Sequence, residues 1–228
     1  MSAPRIATTC LGVDVPMSDF LDPGMIRRIG RAKYEGQEIA GALHVVRAGD
    51  RVLEVGAGLG IVGAVIARNC RPERMLSFEA NPMLLPHIDT LYRINGLETV
   101  IEARNAVLIS DRDRPASLPF HIHPSFRSSS LIAAEETAET VQVPTEDFAA
   151  VCRELKPTVL ICDIEGGELE LLRHADLSGF RAVVMEFHGR AYGTKGRREC
   201  QLLLRGQGFE PLPEHSTQRI WTCVRGGD

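Results

Sequence analysis

The chain of 228 residues has no apolar run long enough to span a membrane, which argues against a transmembrane helix. Its opening residues, MSAPRIATTCLGVDVPM, lack the basic-then-apolar layout of a secretory leader. None of the six cysteines (Cys10, Cys70, Cys152, Cys162, Cys200, Cys223) belongs to a CxxC pair, and several lie in apolar runs. Buried reduced thiols are therefore expected, rather than a disulfide frame or a zinc site, and the expected location is the cytoplasm. Positive charge is not in surplus either. Lys and Arg number 26 against 30 Asp and Glu, a formal net charge of -4. Binding to a phosphate backbone calls for a basic surface, so no nucleic-acid partner is expected. The basic runs Arg27–Lys33 and Lys195–Arg198 read as solvated helix faces. There is no internal repeat and no low-complexity segment. What remains is 44% hydrophobic residues, enough for one globular domain with a sizeable core.

Alternation of strand and helix dominates from residue 50 onward. Strand 51–55 leads to helix 60–70. Strand 75–79 leads to a helix that opens at Pro82 and closes near Asn95-Gly96, followed by a strand near 99–103. Helix 145–154 precedes strand 158–163, helix 167–174 precedes strand 181–187, and helix 196–206 precedes two final β runs, 208–212 and 219–224. This order predicts a parallel, doubly wound sheet, with the last two runs forming an antiparallel hairpin at its edge. Between 105 and 143 the character changes to short β-like runs (Val107–Ser110, Leu118–His123, Ser130–Ala133, Val141–Val143) separated by Pro, Ser and charges. Ahead of the alternating region, residues 1–16 look irregular. Residues 17–48 read as two helices broken near Pro23-Gly24, with Asp22 as a cap. The division expected is an N-terminal helical extension, 1–48, and a catalytic domain, 49–228.

The most informative stretch is RVLEVGAGLGIVGAVIAR, followed about twenty residues later by MLSFEANP. An apolar strand runs into Gly56, Gly58 and Gly60 and then into a helix, and the next strand ends on Glu79. Glycines let a backbone bend sharply and approach a ligand, and a carboxylate at the following strand end can accept hydrogen bonds from two ribose hydroxyls. Gly58, Gly60 and Gly63 also satisfy G-x-G-x-x-G, the dinucleotide signature, but in that signature the first glycine follows the strand directly. Here Gly56 and Ala57 intervene. Counted from the strand, the loop is E-x-G-x-G-x-G (Glu54, Gly56, Gly58, Gly60), a form similar to motif I of S-adenosylmethionine-dependent methyltransferases.

Later segments extend the likeness. ICDIEGGELELL, with Asp163, Glu165, Gly166 and Glu168, ends the fourth strand of the alternation, and VVMEFH, with Glu186 and His188, ends the fifth. Together with VLEVGAGLG, SFEANP, ARNAVLIS and VQVPTEDF, these segments resemble the FkbM family of methyltransferases over about residues 34 to 224. The resemblance implies an α/β class I methyltransferase (Rossmann-like) fold: doubly wound, with a mostly parallel seven-stranded sheet and an antiparallel C-terminal strand. It also implies S-adenosyl-L-methionine as cofactor and, usually, O-methylation of a small molecule or sugar. Two departures stand out. Ile161 occupies a position where the family often has lysine, and Glu54 replaces the usual aspartate before the glycine loop.

On this reading the cofactor-binding residues are Tyr34, Glu54, Gly56, Ala57, Gly58, Glu79, Ala80, Asn81, Asn105, Ala106 and Asp163. Glu79 faces the ribose, with Ala80 and Asn81 beside it. Asn105 and Ala106 lie, by resemblance, near the adenine ring. Tyr34 and Glu35 form a pair that approaches the cofactor in similar enzymes. Glu54 steadies either the loop or the methionine ammonium. Asp163, Glu165, Glu186 and His188 are the catalytic candidates. Asp163 ends a buried strand at the mouth of the sheet, where ligands bind in open α/β folds. It could face the sulfonium, align the acceptor or bind a metal, and Glu165 can share its site. His188, with an unperturbed pKa of about 6.5, is the expected general base, with Asp163 as the alternative. No metal site is assigned. His121 and His123 are too few for one, and Ser128, Ser129 and Ser130 are candidates for a substrate loop. A nicotinamide oxidoreductase and a non-catalytic cofactor-binding module are the competing readings.

Overall fold

The computed structural model describes residues 4–122 and 139–226. The chain opens with an antiparallel hairpin, β1 (Ile6–Cys10) and β2 (Val13–Pro16), turning at Leu11-Gly12. Residues 1–16 were expected to be irregular. The hairpin forms because Cys10, Val13 and Val15 bury completely against the rest of the core. Helix α1 (Pro23–Gly30) follows. The Asp22 carboxylate accepts from the Met25 amide, and Pro23 occupies the first turn, where a missing N–H costs nothing. Pro23-Gly24 is thus the start of this helix. The break between the two N-terminal helices falls at 31–35, ahead of α2 (Gly36–Val45).

Seven strands form the main sheet: β3 (Arg51–Val55), β4 (Arg74–Phe78), β5 (Ile101–Arg104), β9 (Val159–Cys162), β10 (Ala182–Glu186), β11 (Phe209–Pro211) and β12 (Ile220–Arg225). Their order is β11-β12-β10-β9-β3-β4-β5. Only β12 runs against its neighbours. The predicted doubly wound sheet with one reversed C-terminal strand is therefore present, with the β11–β12 hairpin at its edge. A smaller sheet, β6 (Val107–Ile109), β8 (Glu139–Asp147) and β7 (Ser117–Ile122), stands beside the carboxyl ends of the main strands. His123, Ser128, Ser129, Ser130 and the expected Ser130–Ala133 run lie outside the described residues. His121 sits on β7, with its Nδ1 3.0 Å from the Thr140 hydroxyl.

Two apolar layers cover the sheet. Val52, Met75, Ile161 and Val184 face one layer, built with α2, α3 (Ile61–Cys70), α4 (Leu85–Ile94) and the N-terminal hairpin. Leu53, Leu76, Leu160 and Val183 face the other, with α5 (Phe148–Leu155), α6 (Glu168–His174) and α7 (Gly189–Gly206). Residues 6–46 thus share a core with the central strands. Two helix limits differ from expectation. β8 extends through Thr145-Glu146-Asp147 because β6 pairs with it, so α5 starts at Phe148 rather than 145. α7 starts at Gly189 rather than 196 because a short helical segment precedes its main body, set off from it by the non-helical backbone of Gly193 (φ +69°, ψ -179°).

At the amino ends of the strands, Asp50 ties three elements together. It accepts from the Arg47 amide at 2.6 Å and the Thr158 hydroxyl at 2.8 Å, and it pairs in two-pronged fashion with Arg181. Arg181 also donates to the Val45 carbonyl at 2.6 Å. Burial alone would raise the Asp50 pKa, but the Arg181 guanidinium, the Arg47 amide and the Thr158 hydroxyl outweigh it and hold the carboxyl below its ordinary 3.8. Asp50→Ala, which strands a partly buried guanidinium, is expected to cost about 3 kcal/mol in urea denaturation at neutral pH. Because the folded pKa is depressed, that difference is full above pH 3.8 and fades as pH falls through the folded value.

Candidate active site

The glycine loop takes its shape from the strand ends beside it. The amides of Gly56 and Ala57 both donate to the Phe78 carbonyl at 2.9 Å. Gly56 has φ +92°, and a Cβ there would lie 1.7 Å from the backbone oxygen of Asp163, so no side chain fits. Glu79, at the end of β4, accepts from the Gly58 amide and from the Asn81 amide, each at 2.7 Å. Burial pushes its pKa up to about 7 against the pull of those amides. The Asn105 side-chain amide donates to the Glu79 and Ala80 carbonyls at 2.8 and 3.0 Å, fixing the strand end from below. Asn81 caps the following turn through Met83.

A cavity of about 460 Å³ opens over this loop at the carboxyl edge of the sheet. Of the sequence-predicted residues, Tyr34, Gly56, Ala57, Gly58, Glu79, Ala80, Ala106, Asp163 and Glu165 line it. Asn81 and Asn105 support it without lining it. Phe78, Leu108, Leu118 and Phe120 give it an apolar wall. Its charged lining is acidic: Glu35, Glu38, Glu79, Asp111, Asp163, Glu165 and Glu170 face it, with His174 and no Lys or Arg among the described residues.

Glu54 stands elsewhere. It shares a sheet face with its β4 neighbour Ser77, whose hydroxyl donates to it, and it points under α3. A Cβ on Gly63 would lie 2.5 Å from the Glu54 carboxylate. Gly63 therefore leaves room for this buried acid, which accounts for the third glycine of the apparent dinucleotide signature. Of the two roles expected for Glu54, steadying the loop region is the one its position allows. Burial raises its pKa to about 7, opposed by Ser77 and the Gly63 amide. Ile161, in place of the family's lysine, is a core residue of β9.

Behind Asp163 and Glu165 lies His188, which does not line the cavity. Its Nδ1 is 2.7 Å from Glu168, and its Nε2 lies 3.2 Å from Glu165, 3.5 Å from Asp163 and 3.8 Å from Glu186. Glu186 is also held by Arg219. Burial alone would lower the His188 pKa, but the hydrogen bond that its ring donates to Glu168 and the charges of Glu168, Asp163 and Glu165 override it and push the pKa up to about 9. That direction favours an imidazolium at neutral pH. A ring that holds both protons accepts none, which bears on the general-base role expected for it. Asp163 has the opposite character. Burial and then Glu186 raise its pKa well above the ordinary range, His188 opposes them, and its Oδ1 has no hydrogen-bond partner.

Two acids were undervalued from sequence. Glu168 was quoted within DIEGGE but given no role, yet it is fully buried and orients His188. Glu38 follows Glu35 by three positions, which places both on one helical face. Glu35 and Glu165 have φ of 43° and 52°, the left-handed region that non-glycine residues seldom occupy.

The residues present fit an adenosyl sulfonium ligand: a side-chain-free bend for close approach, an acid at the ribose position, and a negative wall opposite a cationic centre. The fold and site together define a class I methyltransferase. The FkbM methyltransferase domain matches residues 54–218, so this chain belongs to the FkbM family, with S-adenosylmethionine as cofactor. Among solved structures, it is similar to a precorrin-6y C5,15-methyltransferase from Geobacter metallireducens GS-15 (11% identity, TM-score 0.50, covering 85% of this chain and 89% of that one). A candidate tRNA (m1A22) methyltransferase from Streptococcus pneumoniae, solved with S-adenosyl-L-methionine, gives 12% identity and a TM-score of 0.50 over 82% of this chain and 70% of that one. A candidate transferase from Pyrococcus horikoshii gives 11% and 0.50 over 94% and 68%. Sequence comparison with curated proteins gives no match. No helix among the described residues is long and apolar enough to cross a membrane.

Since the folded pKa of His188 is raised, its contribution to stability is full below about pH 6.5 and is lost as pH rises through about 9. His188→Gln is expected to destabilise the protein by about 2 kcal/mol below pH 6.5 in urea denaturation, the scale of a charge-assisted hydrogen bond, and by progressively less as pH approaches 9. Nitrogen chemical shifts of the ring are expected to report a doubly protonated imidazole at neutral pH.

Proposed function

We propose that the protein methylates a hydroxyl group on a small molecule or sugar. The observation that carries this reading is Asp163. It is a carboxylate on the cavity wall with a raised pKa and one oxygen without a hydrogen-bond partner, at the sheet's mouth beside the glycine loop. S-adenosylmethionine, when bound, supplies a methyl carbon that is already electrophilic. The chain must then hold the acceptor, exclude water and accept one proton. Asp163, on the cavity wall, is the group that takes the hydroxyl proton on this reading. His188 is a positioning residue. Its imidazolium holds Asp163, Glu165 and Glu186 near one another, and Glu168 fixes its ring. Glu79 accepts the ribose hydroxyls with the lone pairs that Gly58 and Asn81 leave available, and the apolar wall of Phe78, Leu108 and Phe120 keeps water out.

The acidic lining also supports the acceptor class. A phosphodiester chain would meet Glu35, Glu38, Asp111 and Glu170 with no Lys or Arg lining the cavity among the described residues, which disfavours nucleic acid. A dinucleotide's pyrophosphate meets the same repulsion, which disfavours the nicotinamide alternative.

Methyl transfer to a panel of hydroxylated small molecules, followed by mass spectrometry, tests the reading. Transfer only to nitrogen acceptors would overturn it. Asp163→Asn is expected to lower kcat about 100-fold or more, the usual scale for loss of a general base. Glu79→Gln is expected to weaken S-adenosylmethionine binding at least tenfold by calorimetry. Wild-type affinity is expected to rise with pH through about 7, as Glu79 ionises to accept the ribose hydroxyls, and the variant's profile is expected to be flatter.

A further inference from the structure

The cavity over the glycine loop continues along α6. Gly167, Glu170, Leu171 and His174 line it at positions i, i+3, i+4 and i+7, so one face of the helix leads away from the Asp163 loop. The seven residues of α6 span about 10 Å. Near its far end the Ser110 hydroxyl donates to the Leu171 carbonyl at 2.7 Å and joins β6 to the helix. A second cavity, of about 960 Å³, begins there and shares Ser110, Asp111 and His174 with the first. It runs past α5 and the 174–180 segment, beside the stacked rings of Phe148 and Phe180, to the amino ends of β3 and β9.

The charge of this groove is opposite in sign. Arg51, Arg112, Arg114, Arg153 and Lys156 line it against three carboxylates, Asp111, Asp147 and Asp176. Two of the cations have acidic partners: Arg51 meets Glu73 at 3.2 Å, and Arg153 meets Asp147 at 3.7 Å. The Arg114 guanidinium donates to the Thr145 carbonyl and hydroxyl at 2.5 and 2.6 Å, which fixes the group without neutralising it. Arg112 and Lys156 make no side-chain hydrogen bond or ion pair with any described residue. Asp111 and Asp176 turn to their own loops, accepting from the Asp113 amide at 3.1 Å and the Ser178 amide at 2.8 Å, and Asp111 lies 3.9 Å from the His174 Nε2.

Three cations without an acidic partner on one groove attract an oxyanion, and a guanidinium fork matches its geometry. The two opposed fields also orient a ligand. An oxyanion is repelled from the acidic cavity and held in the groove, so the neutral end of the molecule enters toward Asp163. Between the two ends the lining includes the apolar Leu118 and Leu171.

We infer that the groove is a second subsite for the acceptor and receives an oxyanion, phosphate or carboxylate, carried about 10 Å or more from the methylated oxygen. Resting on the hydroxyl-transfer reading, this narrows the acceptor to an anionic small molecule with a hydroxyl at its other end.

Pyrophosphate titration of the full chain at constant ionic strength, followed by amide chemical shifts, tests the groove without any methyl transfer. Saturable binding at millimolar concentration is expected, with shifts at residues 110–114 and 153–158 rather than at 56–58. Arg112→Gln combined with Lys156→Gln is expected to weaken binding about tenfold, while S-adenosylmethionine affinity by calorimetry stays within about twofold. Both side chains are exposed, so the double variant is expected to fold. If it does not, Lys156→Gln alone takes its place. No saturable shift in folded wild-type protein, or equal binding by the folded variant, would overturn the site. So would a short DNA duplex held far more tightly than pyrophosphate through the same side chains, which marks a nucleic-acid surface instead. Methyl transfer to paired hydroxylated compounds, with and without a phosphate or carboxylate, tests the role. The anionic members are expected to show kcat/KM about tenfold above their neutral parents, and the variant to close that gap without slowing the parents. Preference for phosphate or carboxylate names the oxyanion, and no gap in the wild type overturns the acceptor assignment. Pyrophosphate binding with transfer to no hydroxyl sinks the hydroxyl reading and leaves an anion site. Transfer to hydroxyls without pyrophosphate binding sinks the groove alone.

Discussion

Everything at the carboxyl edge of this sheet depends on how closely Gly56 lies against the backbone of Asp163. The ideal position of a Cβ would come within 1.7 Å of that carbonyl. Two functions are joined by this contact. The loop after β3 shapes the floor for a nucleoside, and the end of β9 delivers the acids. The hydrogen bond from the Asp163 amide to the Val55 carbonyl, at 2.9 Å, locks the same junction from the other side. Any side chain at 56 would push the floor away from the acid.

Crowded negative charge is the second constraint. Asp163, Glu165, Glu168 and Glu186 gather about the His188 ring, with Arg219 on Glu186, and Glu35 and Glu38 line the same cavity. Burial first, and like charges after it, raise the proton affinity of Glu38, Asp163 and Glu165. Such a site suits positive ligands. It receives a sulfonium readily and repels phosphate, so electrostatics narrows the chemistry before any acceptor is identified.

The sequence made the alternating core legible because apolar strands bounded by glycine, proline and caps announce themselves. Strand 51–55 matches to the residue, and the closing hairpin lies at the sheet edge as predicted. The N-terminal hairpin was not legible. Its strands are only five and four residues long, and burial of Cys10, Val13 and Val15 holds them. β8 was cut short because Thr145, Glu146 and Asp147 are polar, and only pairing with β6 keeps them extended. At the site, the glycine loop, Glu79, Asp163 and Glu165 could be found from motif position. Glu38 could not, because an acid three places after another on a helix looks like a solvated face. The protonation of His188 was likewise hidden, since it depends on four carboxylates brought together from three strand and helix termini.

The packing of Glu54 beneath α3 carries an implication for how such chains diverge. Gly63 is bare because a glutamate at 54 occupies the space that a methyl group would need. An aspartate at 54 is shorter by one methylene and would draw its carboxylate back from the helix. The two positions are coupled by volume: Glu54 leaves no room for a methyl group at 63, where the Ile101 Cδ1 would also lie 2.8 Å from a Cβ. A textual match to a dinucleotide fingerprint can thus arise as a by-product of volume exchange in a core.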